Sequence, residues 1–413
     1  MSRFIPLIPE GWSLKQVADV YTVNDEVLGS KTPASFNFKY VELDLVDTQN
    51  VNYCGAQAYK FDEAPGRARR LLATGDFLFS TVRPNLLGFA KFAPPNNDTW
   101  VGSTGLAVAR PKEGVDGDFF FYQLLSAIGQ RQFHALVTGS NYPAINDSQF
   151  KRIEVLSPPR EQQKRIASIL ATVDSAIAAT QASIVAAQKL KRALMQNLLT
   201  GKLKPDGTWR RDDEFDIDPK FGRVPKGWSV VSVKDATVNL DSKRKPVKAE
   251  ERATMLGQYP YYGASGIVDH VNDYLFDGEY ILFGEDGENL LSRNVPLAFI
   301  VRGKFWVNNH AHVLQVREGY DIKFICDLLE SRDYRRVVIG SAQPKINQAQ
   351  LARVRLCVPD YTEQVEITDA IDRTKRVIQD KEKKLLALQK LKKSLMQNLL
   401  TGKVRIPPNL VIE

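Results

Sequence analysis

The segment Gln188-Lys-Leu-Lys-Arg-Ala-Leu-Met-Gln-Asn-Leu-Leu-Thr-Gly-Lys202 occurs twice in this chain of 413 residues. Its second copy reads Gln389-Lys-Leu-Lys-Lys-Ser-Leu-Met-Gln-Asn-Leu-Leu-Thr-Gly-Lys403, so that each residue corresponds to one 201 positions later. At this offset the match continues backwards without a gap to Gly139-Ser-Asn-Tyr-Pro-Ala-Ile-Asn146, which corresponds to Gly340-Ser-Ala-Gln-Pro-Lys-Ile-Asn347. A repeat of this length predicts a tandem duplication into two domains rather than a solenoid.

Each copy lies at the end of a segment with the apolar spacing of a long helix. Over roughly 159–200 and 361–400, apolar or small residues recur at alternating intervals of four and three, which predicts coiled-coil seams. Gly201 and Gly402 stand where a left-handed residue ends a helix, and Asp360-Tyr-Thr-Glu363 predicts a capping box. About 40 residues give a rod of roughly 60 Å, too long for one small domain to bury, so we expect the two helices to pair antiparallel. The residues expected to pair them are Ile166, Leu170, Val173, Ile177, Ile184, Leu194, Ile367, Ile371, Ile378, Leu385, Leu388 and Leu395, with Leu190 and Leu391 continuing the seams.

The segments before the helices are mixed in character. Strand-like runs at 41–46, 77–82 and 105–109 lie between Gly, Pro and Asn clusters, and one helix is expected over 119–133. The predicted fold class is α+β, with two β-rich globular domains separated by two long helices that pair as an antiparallel coiled coil, a pseudo-two-fold internal repeat. The predicted domains are globules at 1–157 and 225–358, helices at 158–202 and 359–403, a linker at 203–224 and a tail at 404–413.

The linker, from about 204 to 224, is polar and alternates in charge without periodicity, which predicts a surface connection. After it, Val224-Pro-Lys-Gly-Trp228 restates Ile8-Pro-Glu-Gly-Trp12 at an offset of 216. We expect Trp12 and Trp228 to anchor the cores of the two globules. Because this offset drifts to 201 by the second repeat, insertions are confined to the globules while the helices keep their register.

Composition narrows the class of protein. Apolar residues make up 43% of the chain and charged residues 25%, as in ordinary soluble proteins. With no uninterrupted apolar run near the length of a membrane span, we expect a cytoplasmic protein that makes no contact with a membrane. Three scattered cysteines, Cys54, Cys326 and Cys357, fit reduced bystanders. The net charge of +8 favours an anionic partner but does not identify it.

Taken together, these features resemble the specificity (S) subunit of type I restriction–modification systems over essentially the whole chain. The resemblance rests on the two Pro-x-Gly-Trp openings, the two Leu-Met-Gln-Asn-Leu-Leu-Thr-Gly-Lys endings, and Pro-Pro-Arg-Glu-Gln-Gln-Lys-Arg-Ile at 158–166. It also rests on segments typical of target recognition domains at 259–266, 284–289 and 307–313. By resemblance, each globule reads one half of a bipartite, asymmetric DNA site.

The resemblance further implies the partners and the division of labour. The paired helices would dock two methyltransferase (M) subunits, with restriction/translocase (R) subunits where a nuclease accompanies them. S-adenosylmethionine, ATP and Mg would belong to those partner subunits, and none is expected in this chain. Half-sites about one helical turn apart are separated by roughly 34–36 Å, which a rod of about 60 Å could span.

Reading double-stranded DNA requires planar forks and amides, because Arg pairs with guanine and Asn or Gln with adenine. Most such side chains on loops are simply solvated, so each candidate is a hypothesis. In the first globule the candidates are Arg67, Arg69, Arg70, Arg83, Asn85, Asn96, Asn97, Asn141 and Tyr142. In the second they are Lys243, Arg244, Lys245, Tyr261, Tyr262, Asn289, Arg293, Asn308, Asn309 and Lys345. The run 243–245 fits phosphate contacts better than base reading.

The sequence predicts no active site. The segments 157–160 and 283–287 fit neither the base-stacking motif nor the glycine loop of a methyltransferase, and no ATP-binding phosphate loop occurs. His310 and His312 would lie on one face of a strand, but no third ligand is near, so a packed or hydrogen-bonded pair is expected and no metal. Two alternatives stay open: a single-chain DNA-modifying enzyme, and a coiled-coil scaffold without DNA specificity.

Overall fold

The computed structural model describes residues 4–5, 7–139, 143–339 and 344–407. It divides into two compact units, of which the first comprises Met1–Gln181 and Lys384–Glu413 and the second Ala182–Lys383. Each unit therefore contains one globule, the first part of one long helix and the last part of the other. The chain has mixed helix and sheet content in each repeat, as expected.

The first globule contains two four-stranded sheets, ordered β6-β3-β10-β7 and β2-β11-β8-β9, and the pair β1-β12. Its strands are β1 Ser13–Gln16, β2 Tyr21–Val23, β3 Asn37–Val41, β4 Val46–Asp47, β5 Asn50–Val51, β6 Gln57–Lys60, β7 Ala68–Leu72, β8 Phe77–Ser80, β9 Phe89–Lys91, β10 Trp100–Ser103, β11 Leu106–Pro111 and β12 Glu154–Ser157. Its helices are α1 Val17–Val20, α2 Gly117–Leu125, α3 Ala127–Leu136 and α4 Asp147–Lys151. Phenylalanine rings from the second sheet and from α2 fill the core.

The second globule contains one six-stranded sheet, ordered β16-β21-β19-β20-β17-β18, and the pairs β13-β14 and β15-β22. Its strands are β13 Phe215–Asp218, β14 Gly222–Pro225, β15 Ser229–Ser232, β16 Thr237–Asn239, β17 Leu256–Gly263, β18 Gly266–Val271, β19 Phe276–Gly284, β20 Ala298–Val307, β21 Ala311–Val316 and β22 Arg355–Val358. Its helices are α6 Val233–Ala236, α7 Ala249–Arg252, α8 Asn289–Ser292, α9 Ile322–Ser331 and α10 Gln348–Arg353. Trp12 and Trp228 are 8% exposed and lie in the cores of their units, which confirms their predicted role.

The two long helices are α5, Arg160–Leu198, and α11, Tyr361–Leu399. In the first unit Ile166 of α5 lies in the same core as Leu399 of α11. One Asp174 carboxylate oxygen, Oδ1, lies 2.5 Å from Lys392 Nζ. The order of contacts thus reverses along the two segments. In the second unit Ile367 lies in the same core as Leu198.

The predicted seam residues are buried or half-buried, with two exceptions. Leu190 is 53% exposed and Leu391 is 47% exposed, so these two assignments are wrong. The buried stripe passes instead through Lys191 and Lys392, which are half-buried. A lysine can take such a position because its aliphatic stem covers apolar surface while its ammonium group stays solvated or paired.

Each long helix ends on a glycine that packs against the opening of a globule. Gly201 and Gly402 both have φ +65°, which confirms the predicted left-handed helix ends. A Cβ atom at Gly402 would meet Pro9 Cγ at 2.6 Å, and one at Gly201 would meet Pro225 Cγ at 2.3 Å. The linker connects Gly201 to Pro225, whereas Gly402 and Pro9 lie far apart in the sequence.

The structure differs from two expectations about the first globule. The helix expected over 119–133 is broken at Ser126, whose backbone is extended (φ −67°, ψ 163°) and whose hydroxyl oxygen accepts from the Gly129 N–H, 3.4 Å away. Ser126 thus starts a new helix as its N-cap. The strand expected over 41–46 is interrupted by a 3-10 turn, Leu43–Leu45.

The linker is also more ordered than its polarity predicts. Strands β13 and β14 form a hairpin in which Asp216 pairs with Val224, and Phe221 packs against the core of the second unit. The predicted capping box is only half formed. Asp360 accepts from the Glu363 N–H (3.0 Å), but the Glu363 carboxylate binds Arg210 and the Trp228 indole N–H instead.

One stretch of α5 bears on the expectation about membranes. It contains an 18-residue window that is long and apolar enough, by those criteria alone, to cross a membrane, and 22% of the window is buried. The only acid or base between Ile166 and Ala187 is Asp174, a feature that counting unbroken apolar runs overlooks. A single such helix is weak support for a membrane span.

Candidate nucleic-acid interface

In the second unit, several turns meet at one edge of the six-stranded sheet. Strand β19 ends where β21 begins, because Gly284 pairs with Ala311. The Glu285 N–H donates to His310 O (2.8 Å), and the Ile346 N–H donates to Glu285 O (2.9 Å). We call the turns 240–247, 264–265, 285–289, 308–310 and 344–346 the second loop cluster.

A buried ionic network lies beneath the second loop cluster. His312 Nδ1 is 2.5 Å from Asp241 Oδ2, and Arg244 Nη1 is 2.7 Å from Glu285 Oε2. Lys345 Nζ, on a more exposed side chain, lies 3.0 Å from Glu285 Oε1. Buried charges are retained only when paired and hydrogen-bonded, so these contacts hold three separate turns together.

Both ring nitrogens of His312 have hydrogen-bond partners. Nδ1 faces the Asp241 carboxylate, and Nε2 lies 2.8 Å from the backbone oxygen of Ile346, which can only accept. Burial acts to raise the pKa of Asp241, but hydrogen bonds, first among them that of His312, outweigh it and hold that pKa below its usual value. Asp241 is therefore ionised at neutral pH.

The network also bears on metal binding. Ligand atoms of Asp241, Glu285 and His312 lie within 4.8 Å of one another, close enough to hold an ion. However, both His312 nitrogens are already bonded, and Arg244 and Lys345 supply positive charge at Glu285. This arrangement fits a self-neutralised ionic network better than a metal centre.

The two histidines also differ from expectation, because His310 lies in the turn before β21, is exposed and binds Asp286 (2.9 Å).

Above this network the second loop cluster presents polar side chains to solvent. Lys243, Lys245, Asn309, His310 and Lys345 are exposed there. The Asn309 side-chain amide has no hydrogen-bond partner among the residues that the structure describes, which leaves both of its polar atoms available. Ammonium groups neutralise phosphates, and a carboxamide can pair with a base edge, so the cluster has the chemistry of a DNA-contacting surface.

The first unit gathers equivalent turns at the corresponding sheet edge. The Ile145 N–H donates to Thr81 O (2.9 Å), as Ile346 does to Glu285, so Thr81 corresponds to Glu285. The Arg83 N–H donates to Pro143 O (2.7 Å). We call the turns 81–87, 103–105 and 143–146, with residues 65–70 beside them, the first loop cluster. The two globules therefore share a frame at this edge, although their sequences diverge.

At the positions that correspond to His312 and Asp241, the first unit has uncharged residues. Ala107 lies opposite Phe79 in the sheet, as His312 lies opposite Phe283. The Asn24 side-chain oxygen accepts from the Val108 N–H (2.8 Å), the role that Asp241 plays for Val313 in the second unit. A neutral amide thus replaces the carboxylate where no histidine needs a partner.

The structure brings some predicted candidates of the first globule together and separates others. Arg67, Arg83 and Asn85 are exposed in the first loop cluster. Arg69 stacks on Phe61 and Arg70 pairs with Asp147 (3.1 Å), so both serve the fold. The remaining candidates lie elsewhere: Asn96 and Asn97 at the opposite end of β10, and Asn141 and Tyr142 outside the described residues.

Two candidates of the second globule, Tyr261 and Arg244, are corrected, and four others have partners within the globule. Tyr261 is 1% exposed and its hydroxyl accepts from the Val247 N–H (3.0 Å), so it is a core residue and cannot reach a base. Arg244 is committed to the buried network. The others with internal partners are Tyr262, packed on Phe299 and Phe305; Asn289, bonded to Val295; Arg293, paired with Glu330; and Asn308, half-buried and accepting from the His310 N–H.

The sequence reasoning passed over two apolar residues at this edge. Ile267 and Val268 are 53% and 58% exposed on β18, the edge strand of the sheet. A Cβ built at Gly263 would meet both Val268 Cγ1 (3.2 Å) and Asn308 Nδ2 (3.4 Å), so these side chains are neighbours. An apolar group beside an amide suits a thymine methyl beside its adenine. Because apolar side chains are usually buried, the sequence does not indicate that Ile267 and Val268 are exposed. Their position on an edge strand explains the exposure.

The chain is similar in sequence and fold to known proteins. The family model described as the type I restriction modification DNA specificity domain matches residues 9–188 and again 225–390. A type I restriction enzyme specificity subunit from Haemophilus influenzae is 34% identical over 139 residues, which cover 33% of this chain and 35% of that protein. The type I restriction enzyme MjaIX specificity subunit of Methanocaldococcus jannaschii is 21% identical over 97% of this chain and 95% of its own length. Among solved structures, the type I restriction–modification S subunit of M. genitalium superposes with a TM-score of 0.57 at 14% identity, over 97% of this chain and 99% of that one.

Proposed function

Because the chain belongs to the family of type I restriction modification DNA specificity domains, whose model matches it twice, we propose how this specificity subunit reads DNA. Each globule reads one half of a bipartite site through its loop cluster. The two clusters differ in sequence and in buried charge, so the two half-sites differ and the whole target is asymmetric. The observation that carries this proposal is the repeat itself, in which the globules diverged around a common frame while the long helices kept their register.

We propose further that α5 and α11 pair antiparallel along their length as a coiled coil and thereby set the distance between the half-sites. The support is that each unit packs the beginning of one helix with the end of the other. Buried residues continue the stripe between these ends, with Val173 and Ile184 on α5 and Ile378 on α11. In this proposal a rod of about 60 Å acts as a ruler for half-sites on one face of the DNA.

The partners in this proposal are double-stranded DNA and two methyltransferase subunits docked on the helices, joined by restriction/translocase subunits in systems that cleave. The chain itself would carry out no catalysis and would work in the cytoplasm. Methyl transfer needs S-adenosylmethionine, and translocation needs ATP and Mg, so these would bind to the partner subunits. The polar chemistry of both loop clusters supports a recognition role: it offers cations and amides for DNA, while the buried acids of the second unit are already paired.

An exchange of one globule tests the modular reading. Residues 1–157 are replaced by the corresponding block of another specificity subunit, the chimera is expressed with its methyltransferase subunit, and methylated positions are mapped by sequencing genomic DNA. One half of the methylated site is expected to change while the other half and the gap stay the same. The reciprocal exchange of 225–358 is the matched control and should change the other half. A change in both halves, or in neither, would refute the proposal.

A binding measurement distinguishes the two rival functions. With methyltransferase subunits present, affinity for a duplex carrying the site should fall steeply as salt rises, because cations released from phosphates drive binding. A scaffold without DNA specificity would bind site and non-site duplexes alike. A single-chain modifying enzyme would bind S-adenosylmethionine without any partner.

A further inference from the structure

The globule of each unit contacts its long helix through the same frame. In the first unit the Asp116 N–H donates to Gln163 Oε1 (3.0 Å), and in the second the Asp321 N–H donates to Gln364 Oε1 (2.8 Å). Asp116 and Asp321 are also the N-caps of α2 and α9. The two interfaces can therefore be compared residue by residue, with α2 aligned to α9 and α5 to α11.

At the first position compared, the helix residue has opposite charge in the two units. The Tyr122 hydroxyl donates to Asp174 Oδ2 (2.7 Å) in the first unit. In the second unit the corresponding residues are Asp327 and Lys375, and Lys375 Nζ lies 3.1 Å and 3.0 Å from the two carboxylate oxygens. Asp174 could not take the place of Lys375, because Asp327 would then face a second carboxylate.

One turn away, a second position also differs. In the second unit Lys323 Nζ of α9 lies 2.7 Å from Asp372 Oδ2 of α11. The corresponding residues of the first unit are Asp118 and Ala171, and Asp118 turns instead to Lys91 (2.8 Å) within its own globule. The first unit thus has an acid on the globule where the second has a base.

Burial makes the first position demanding. Asp327 is 8% exposed, and burial raises the pKa of its carboxyl, a shift that the charge and hydrogen bond of Lys375 oppose. In the first unit, burial and the neighbouring Asp174 raise the pKa of the Tyr122 hydroxyl, so that side chain stays a neutral donor. Removing one partner of a buried ion pair leaves an uncompensated charge. The second globule therefore requires a cation at this place on its helix.

We propose that these two positions assign each recognition globule to one long helix. If the globules exchanged places, Asp327 would face Asp174 in one unit and Asp118 would face Asp372 in the other. Both arrangements bring two carboxylates together, and the like charges destabilise the contact most at Asp327, which is buried, whereas the Asp118 side chain is 44% exposed. The assignment thus fixes which globule packs on the start of which long helix.

One lysine of this contact region does not discriminate between the globules. Lys392 pairs with Asp174 in the first unit, and its counterpart Lys191 opposes the raised pKa of Asp327 in the second. Because both units carry a lysine at this place, either globule could use either one. The opposite charges that we compare lie at positions 171 and 174 of α5 and 372 and 375 of α11, and the Gln49 side chain adds a hydrogen bond to Asp174 (2.8 Å) in the first unit.

Point substitutions in the full-length chain test the first position. Lys375→Asp recreates the exchanged contact in the second unit, and Asp327→Tyr combined with Lys375→Asp recreates the native contact of the first unit. Hydrogen exchange measured by mass spectrometry on peptides covering α9 should accelerate at least tenfold in the single variant and return towards the native rate in the double variant. Arg376→Asp, the same charge reversal at the neighbouring exposed cation, should leave these peptides unchanged.

A chain with residues 1–157 and 225–358 exchanged tests the assignment as a whole. It is made with the native helices and again with Ala171→Asp, Asp174→Lys, Asp372→Ala and Lys375→Asp. The first version should melt well below the native chain or fail to fold, and the second should regain much of the loss. The proposal is overturned if the unsubstituted exchange melts with the native chain, or if the four substitutions give no gain. Should neither version fold, the point variants decide, because a double variant no better than Lys375→Asp overturns it equally.

Discussion

His312 shows how a single residue gains its role from its neighbours. Its two nitrogens connect the turn at Asp241 to the segment at Ile346, and these segments border the exposed lysines of the second loop cluster. In the sequence, His310 and His312 look like one pair of equivalent residues. The turn at 308–310 separates them, and only one becomes part of the buried network.

The paired acids around His312 predict a pH dependence of stability. Burial would raise the pKa values of Asp241 and Glu285, but their cationic partners hold them below the usual 3.8 and 4.5. A lowered pKa in the folded state stabilises the fold above the unfolded-state value, and that stabilisation is lost as pH falls through the folded value. We expect His312→Ala to lower the free energy of unfolding by about 3 kcal/mol at pH 7 and by less below pH 3.8.

Urea unfolding followed by fluorescence of Trp306, which donates to the backbone oxygen of Lys245 (2.6 Å), measures this effect. His270→Ala, a change at an exposed histidine, is the control and should cost little at either pH. An equal loss for His312→Ala at both pH values would show that packing, and not charge, explains the role of His312.

Lys245 provides a second prediction at the scale of one residue. Its side chain is exposed in the second loop cluster. In the proposed function, its ammonium group contacts a phosphate of the DNA backbone. Lys245→Ala should weaken binding to site and non-site duplexes alike and reduce the slope of log affinity against log salt by about one. Lys384→Ala, at an exposed lysine on α11, should leave the slope unchanged. A loss confined to the specific site would instead make Lys245 a base reader.

At the scale of elements, the long helices are the part of the fold that the sequence predicts best. Both begin and end within two residues of 159–200 and 361–400, the ranges predicted from apolar spacing, because this spacing and the terminal glycines depend on nearby residues only. The choice of Leu190 and Leu391 failed because apolar character alone was used to extend the seam. The intervals along the seam alternate between four and three, and the step from Ile184 to Ala187 is three. The next step is therefore four and leads to Lys191, whose aliphatic stem was not counted as apolar surface.

A pair of leucine substitutions checks this corrected stripe. Leu198 is 1% exposed and Leu190 is 53% exposed on the same helix. Leu198→Ala should cost about 2–5 kcal/mol through lost contacts and a cavity, whereas Leu190→Ala should change stability by less than about 0.5 kcal/mol. Thermal unfolding of the two variants beside the native chain gives the comparison. Similar losses in both would restore Leu190 to the seam.

Elements that depend on distant partners were harder to predict. The polar linker sequence does not predict that β13 and β14 pair, or that Phe221 packs against the core of the second unit. The predicted DNA contacts were wrong in places for the same reason. Tyr261 and Arg244 are residue types that commonly read DNA, and only the folded structure shows that a core and a buried carboxylate already claim them.

At the scale of the whole chain, the repeat makes the two helix ends equivalent. Gly201 packs on Pro225 and Trp228 with the linker joining them, and Gly402 packs on Pro9 and Trp12 with no connection. The sequence agrees with this equivalence, because both Pro-x-Gly-Trp openings and both helix ends are repeated. Divergence of the globules, in contrast, left the sequence unable to show how each loop cluster is built.

A circular permutation tests this equivalence. A chain that starts at Val224, runs to Lys403, continues through a copy of residues 203–223 and ends with Ile8 to Lys202 should fold. Its melting temperature should lie below the native value, because Ile5 leaves the first core and the moved linker no longer pairs with Val224 or places Phe221 in the second core, but unfolding should remain cooperative. Opening the chain between Tyr280 and Ile281, inside a central strand, is the control and should prevent folding. Failure of the first chain would mean that the covalent linker is itself required.

The make-up of each unit also bears on the history of the gene. Each takes its globule and the start of one helix from one half of the chain, and the end of the other helix from the other half. A gene of half the length would already encode both sides of this packing, and two copies of its product could complete each other. Fusing two such genes would then have freed the halves to mutate separately, turning a reader of symmetric sites into a reader of asymmetric ones.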